Sequence, residues 1–314
     1  MPITATFLTG LSCNNAMNTE ADTTIIDTIE AYASVVLDDP VNDFAYQLST
    51  ARFLGQMCRT DVELQKIHSL MEHYSPHMQR LGSLAFCYLP YRWYAKTLPL
   101  VQKNLTHSLK WIRYDSIRFF FFQSCLDESV FELLHQQQKI TDDSDITKAI
   151  HTALAALTDL RNSYALPLKS IQVDDFIVDV PINWQVGKDR HIHVFQSAPL
   201  ASLRLNTQQY PSMLRLSFAR NLTPEEIREM PIFNIEAKVE GATIIHTPAY
   251  VKPGSYRATY HHPANSEGIT ELTTTEFTAW DDSTLLIANL MSPLVHKQWA
   301  MERNINILNS IRRA

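Results

Sequence analysis

The chain has 314 residues, 45% of them apolar and 19% charged, and its formal net charge is −6. That balance supports packed cores and excludes a disordered chain; it gives no cationic surface of the kind that nucleic acid or an anionic membrane requires. Only seven glycines are present, and neither GxGxxG nor GxxxxGK[ST] occurs, which excludes the common phosphate cradles.

Residues 1–22 form an N-terminal segment without a defined element. Its opening, MPITATFLTGLSC, ends at Cys13, but it has no Lys or Arg ahead of the apolar run, and Thr and Gly break that run. A secretory signal needs both a basic start and a longer apolar core, so export is not expected. No stretch reaches the ~18 consecutive apolar residues of a membrane span. IRFFFFQSC (117–125) is intensely apolar but far too short. The expected address is the cytoplasm, with no membrane insertion. Cys13, Cys58, Cys87 and Cys125 are spaced too widely for a zinc pattern and read as small buried hydrophobes in a reducing compartment.

Residues 23–166 carry apolar positions at helical spacing. TIIDTIEAYASVVL (24–37) puts Ile25, Ile29, Tyr32 and Val36 on one stripe. Pro40 is placed to open a second helix, with Phe44, Leu48 and either Phe53 or Leu54 pointing inward. DVELQKIHSLMEHY (61–74) predicts a third, with Asp61 near its cap. Pro76, Pro90 and Pro99 punctuate the chain beyond it. DDSDITKAIHTALAALTDL (142–160) is the clearest amphipathic helix, opened by acids that suit the positive helix end. MQRLGSLAFCYL (78–89) and WIRYDSIRFFFF (111–122) echo each other, with Arg80 and Arg113 at matching offsets. This region resembles a short HEAT-like helical array; an irregular helical bundle is the alternative.

HSLMEHYSPH (68–77) holds three histidines, but Pro76 separates His73 from His77 and HExxH is absent, so no metal is expected there. The aromatic run Trp93, Tyr94, Trp111, Tyr114 and Phe119 to Phe122 reads as core or as a partner groove. Trp93, Trp111 and Tyr114 are the candidates for partner binding.

Beyond Pro167 the apolar period falls from 3.6 to 2. Strands are predicted over 171–180 as a pair, then 191–197, 212–220, 242–250, 255–262, 268–280 and 283–291, with Asp281-Asp282 turning the last two. TPEEIREMPIFNIEAKVE (223–240) opens with a cap, a proline and two glutamates and predicts a helix. HKQWAMERNINILNSIRR (296–313) predicts a closing one. The expected class is α+β in two domains, an all-α array over 23–166 and an antiparallel sheet over 170–314. Two helices cover one face of that sheet and the other face stays open. Pro181 is read as ending an edge strand, with Trp184 folded back over one end of the core.

Val180, Pro181, Trp184, Trp280, Ile307, Leu308, Ser310 and Ile311 carry a resemblance to the PsbP-like and DcrB-like α/β/α sandwich domains, over about residues 170–314. Within that group the chain is similar to the Eag chaperones of type VI secretion. The resemblance implies a non-catalytic cytoplasmic chaperone or adaptor holding the apolar N-terminal segment of a secreted (Rhs-type) toxin effector, without cofactor; a homo-oligomer is compatible with this reading. The implied face is Phe195, Leu203, Leu205, Leu214, Leu216 and Phe218, residues that equally suit the sandwich core. The helical half departs from the single-domain relatives. It fits the alternative, an immunity protein that neutralises a cognate toxin domain. Catalysis is not expected: G-x-S-x-G and paired carboxylates are missing, His261 and His262 point to opposite faces of a strand, and His191 and His193 lack a third ligand.

Overall fold

The computed structural model describes residues 20–38, 44–189, 192–197, 212–261 and 271–314. The chain divides into two compact units, residues 1–85 and 86–314. The change from helix to strand falls at Leu168, inside the second unit.

The first unit is helical. It comprises α1 (Glu20–Asp38), α2 (Phe44–Met57), α3 (Asp61–Ser69) and most of α4 (Pro76–Phe86). Ile25 and Tyr32 of the predicted stripe are fully buried. Leu54 takes the inward position on α2, whereas Phe44 and Phe53 lie at the surface; the Arg80 guanidinium covers the Phe44 ring at 4.7 Å. Cys13 and Pro40 lie outside the described residues. Thr60 caps α3, with Asp61 beside it as expected: the Thr60 hydroxyl accepts from Glu63 N while the Glu63 carboxylate accepts from Thr60 N, a reciprocal capping box. Gly82 permits a close helix approach, since a Cβ there would lie 2.9 Å from Leu70 Cβ.

The second unit begins with α5 (Tyr94–Asn104), α6 (Lys110–Phe122), α7 (Glu128–Ile140) and α8 (Ser144–Ser163). Pro99, expected as punctuation, sits inside α5. Next come β1 (Leu168–Val173), β2 (Phe176–Pro181), β3 (Trp184–Asp189), β4 (Ile192–Ser197), β5 (Met213–Arg220), α9 (Pro224–Val239), β6 (Thr243–Lys252), β7 (Ser255–His261), β8 (Glu271–Asp281), β9 (Thr284–Pro293), α10 (Lys297–Asn309) and the two-residue β10 (Arg312–Arg313). Among the described residues all pairings are antiparallel. They make a three-stranded sheet, β1-β2-β10, and a seven-stranded sheet, β3-β4-β5-β9-β8-β7-β6. The class is therefore α+β, helical first and antiparallel after.

Several local expectations acquire a physical account. β6 to β9 form the predicted meander. Its first turn is Pro253-Gly254, with Gly254 at φ +72°, the combination a tight turn of this kind requires. Its last turn is Asp282-Ser283, one residue later than expected, because the Asp281 carboxylate accepts from Ser283 N and Oγ and closes the turn ahead of itself. β2 is the central strand of the small sheet and not an edge. Pro181 ends its ladder opposite Leu168. Across Ile182 and Asn183 the chain then changes sheets, and Trp184 starts β3. The V-P-x-x-W signature is a corner between two sheets, with the indole buried in the core between them.

The Leu/Phe face that the sequence offered as open is covered. On β9 the side chains alternate between two cores. Leu286, Ala288 and Leu290 join Phe176, Val178 and Val180 of the small sheet and Ile307 and Leu308 of α10. Leu285 joins Ile235 of α9 with Ala258, Tyr260 and Phe277. The two helices thus lie on opposite faces, and the small sheet shares one of them.

Candidate partner-binding groove

Phe195, Leu214 and Leu216 are fully buried. They pack in the core beneath β2 and α10, so the sheet face proposed for a partner is filled by the chain itself. Phe218 packs against the same core, with ring centroids 5.9 Å from Phe176 and 5.6 Å from Trp280. The reason is periodic: an antiparallel strand with a second sheet on one side carries its large apolar residues inward. Leu203 and Leu205 lie outside the described residues. Trp93 is buried too; Arg92 and Lys96 stack their cations on its ring. Trp111 and Tyr114 remain, and the structure brings these two together at the surface.

They line a cleft of about 480 Å³ between α6 and α8. Positions 111, 114, 118, 121 and 122 of α6 recur at steps that fall on one helical face; so do 145, 148, 149, 152 and 153 of α8. α6 supplies an aromatic wall, with Trp111 49% exposed at the rim and Ile117, Phe121 and Phe122 buried as its floor. Ala149 and Ala153 keep the opposite wall low. The residues also touch one another: the Trp111 and Tyr114 rings meet edge to face at 6.1 Å, and the Arg118 guanidinium lies 5.0 Å from the Phe122 ring.

The helices are pinned at one end. Lys110, the first residue of α6, bonds Asp145 at 2.5 Å and Asp143 at 3.3 Å. Asp143 caps α8 by accepting from Asp145 N and Ile146 N. Burial raises the Asp143 carboxyl, but those amides and the Lys110 ammonium outweigh it and hold it below its ordinary value. Further along, Arg161 bonds Glu128 of α7 at 2.9 Å. Within the cleft, Arg118 has only Asp115 at 3.7 Å, and Lys148 has no ion pair among the described residues. The free charge at the mouth is positive.

A second polar cluster joins α8 to the sheet. Arg303 of α10 is buried, its charge stacked on Tyr164 at 4.3 Å and Trp184 at 5.6 Å. It donates to Ser212 Oγ at 2.6 Å, and no carboxylate pairs with it among the described residues. Aromatic faces and hydroxyls, not a counterion, solvate it. His296 lies beside it between Ser124 O and the Tyr164 hydroxyl. These groups interlock through their own hydrogen bonds and ring contacts.

Among the described residues no group of three His, Cys, Asp or Glu side chains is arranged to hold a metal ion. His193 is buried with Asp174 at 3.1 Å; His191 and His262 lie outside the described residues. No described helix is long and apolar enough to cross a membrane.

Sequence reasoning found the α6 side of the cleft through its aromatic run. It missed Arg118, Asp145 and Lys148. For Asp145 and Lys148 the signal was present in DITKAIHTALAA, where small and charged residues share a stripe beside the apolar one that faces the core.

No family model and no curated protein matches the chain. Solved structures similar to it include the cyanobacterial PsbP (CyanoP) of Synechocystis sp. PCC 6803, at 10% identity and TM-score 0.32, covering 47% of this chain and 93% of that one. LpqN of Mycobacterium tuberculosis, involved in cell envelope biogenesis, shows 10% identity and TM-score 0.34 over 50% and 96%. A protein of Bacteroides thetaiotaomicron VPI-5482 shows 13% and 0.30 over 44% and 45%.

Proposed function

We propose that the protein is a non-catalytic polypeptide-binding adaptor that captures an apolar segment of a secreted toxin effector in the cleft between α6 and α8. The carrying observation is the aromatic-walled cleft itself. Trp111 and Tyr114 are exposed or half-buried at its rim over a buried Phe121–Phe122 floor, which is the combination that anchors interfaces: rigid rings with large contact area and little entropy to lose. The PsbP-like character of the sheet half and the HEAT-like character of the helices belong to this reading, as does its Eag-type assignment to type VI secretion. The reading differs in one respect from what that resemblance implies, since the segment is held by the helices and the sheet is a scaffold.

The cleft favours an inserted segment over a docked folded domain, because about 480 Å³ accepts a few side chains in depth. The immunity reading calls for the second kind of contact. The two separate in one experiment. A candidate Rhs-type toxin effector is divided into its N-terminal apolar segment and its C-terminal toxin domain, and each is titrated against the full chain and against a Trp111→Ala/Tyr114→Ala variant. The adaptor reading expects the N-terminal segment to bind and the variant to lose it at least tenfold. Binding of the toxin domain alone supports the immunity reading. Equal binding by the variant contradicts both uses of the cleft.

A further inference from the structure

Resting on the cleft as a polypeptide site, we propose that its occupant is an amphipathic helix bearing a carboxylate that pairs with Lys148. Two features of the cleft select this chemistry. First, its walls are two helical stripes. From Trp111 to Phe122 the aromatic wall runs roughly 16 Å along α6, about three turns. The α8 wall is built from Ala149, Thr152 and Ala153, side chains short enough to let another backbone come near. A helix laid between such walls inserts large apolar residues at i, i+3 or i+4, and i+7 onto Phe121 and Phe122. An extended strand would need edge amides and carbonyls to pair with, and both walls have theirs committed within their own helices.

Second, the charges around the cleft are uneven. Asp145 is held by Lys110 at 2.5 Å, and Asp115 is fully buried with Arg118 at 3.7 Å. Lys148 has no ion pair among the described residues. Its ammonium stands at the mouth, one turn from both Asp145 and Thr152, with no anion of its own. A cationic partner helix would meet Lys148 and Arg118 unfavourably. An acidic residue flanking the apolar stripe would complete the pairing.

The test is a selection of peptides of roughly four helical turns, displayed as a random library and panned on the full chain, its Lys148→Glu variant and its Trp111→Ala/Tyr114→Ala variant. Lys148 stands at the cleft mouth and not in the core, so its replacement leaves the fold intact. The expected result on the unaltered chain is enrichment of sequences with helical apolar spacing and an Asp or Glu beside the stripe. Lys148→Glu reverses that preference toward Lys or Arg and weakens the acidic peptides about fivefold. Apolar helical peptides without a charge preference, or a preference that Lys148→Glu leaves unchanged, overturn this inference and leave the cleft as a polypeptide site. Enrichment of the same peptides on the Trp111→Ala/Tyr114→Ala variant removes the cleft reading itself.

Discussion

The Tyr164 hydroxyl donates to Nδ1 of His296 across 2.5 Å, while Nε2 of the same ring donates to Ser124 O at 3.2 Å. The carbonyl can only accept, so Nε2 carries the proton and Nδ1 is the acceptor. This neutral imidazole ties the end of α8 and the turn after α6 to the start of α10.

The arrangement predicts a pH dependence. Burial, with Arg303 nearby, lowers the His296 pKa from 6.5 to about 3. Between those values the unfolded chain takes up a proton that the folded chain refuses. The contribution of His296 to stability is therefore complete above about pH 6.5 and is lost as the pH falls toward 3, by on the order of 1 kcal/mol per pH unit. Urea denaturation from pH 7 to pH 4 should show a stability slope that His296→Gln flattens. The lowered carboxyls of Asp143 and Glu276 also lose stability in acid, so the difference between the two proteins carries the test.

Arg303 makes the opposite demand on design. A buried guanidinium without a counterion is costly to hold, and an apolar side chain of similar length avoids that cost. Arg303→Ala, which opens a void beneath Tyr164 and Trp184, should destabilise by about 3 kcal/mol. Arg303→Met should cost about 1 kcal/mol or less. Equal losses in equilibrium unfolding would show that the charge, and not the volume, is what the site needs.

Core and cleft should separate cleanly under mutation. Phe195→Ala or Leu214→Ala should cost about 3–5 kcal/mol through cavity formation, with partner affinity intact once the protein is folded. Trp111→Ala should cost about 1–2 kcal/mol, less than the core changes because half its surface is already in water, and should lose binding. Thermal melts paired with titration read both quantities.

The buried thiols offer a simple check on packing. Burial pushes Cys87 up to about 12 and Cys125 higher still, and Cys58 is fully buried. A thiolate is the reactive form, so these three should react with a disulfide reagent only as fast as the chain opens, and promptly in denaturant.

Much of the fold was legible because local chemistry fixes it. Thr223, Pro224 and Glu226 begin α9 by a cap, a first-turn proline and a reciprocal bond, all readable from spacing. The alternation in SMLRLSFAR specified β5 and its inward face. What alternation cannot state is which body covers that face. Leu214 and Leu216 look the same whether a partner or the β2 strand lies over them, and only the distant pairing of Phe176 and Ile307 with them decides it. β3 was missed because Gly187 and Lys188 dilute its pattern at an exposed edge. The cleft was half visible for a related reason. Aromatic residues on α6 announce themselves, whereas Ala149 and Ala153 matter by being small.

The most direct test of the partner site is hydroxyl-radical footprinting of the full chain with and without a bound candidate effector. Trp111 and Tyr114 should lose reactivity on binding, while Tyr250 on the exposed β6 edge and Phe233 on α9 keep theirs. Protection of Tyr250 or Phe233 with Trp111 unchanged would place the partner on the sheet and contradict the account.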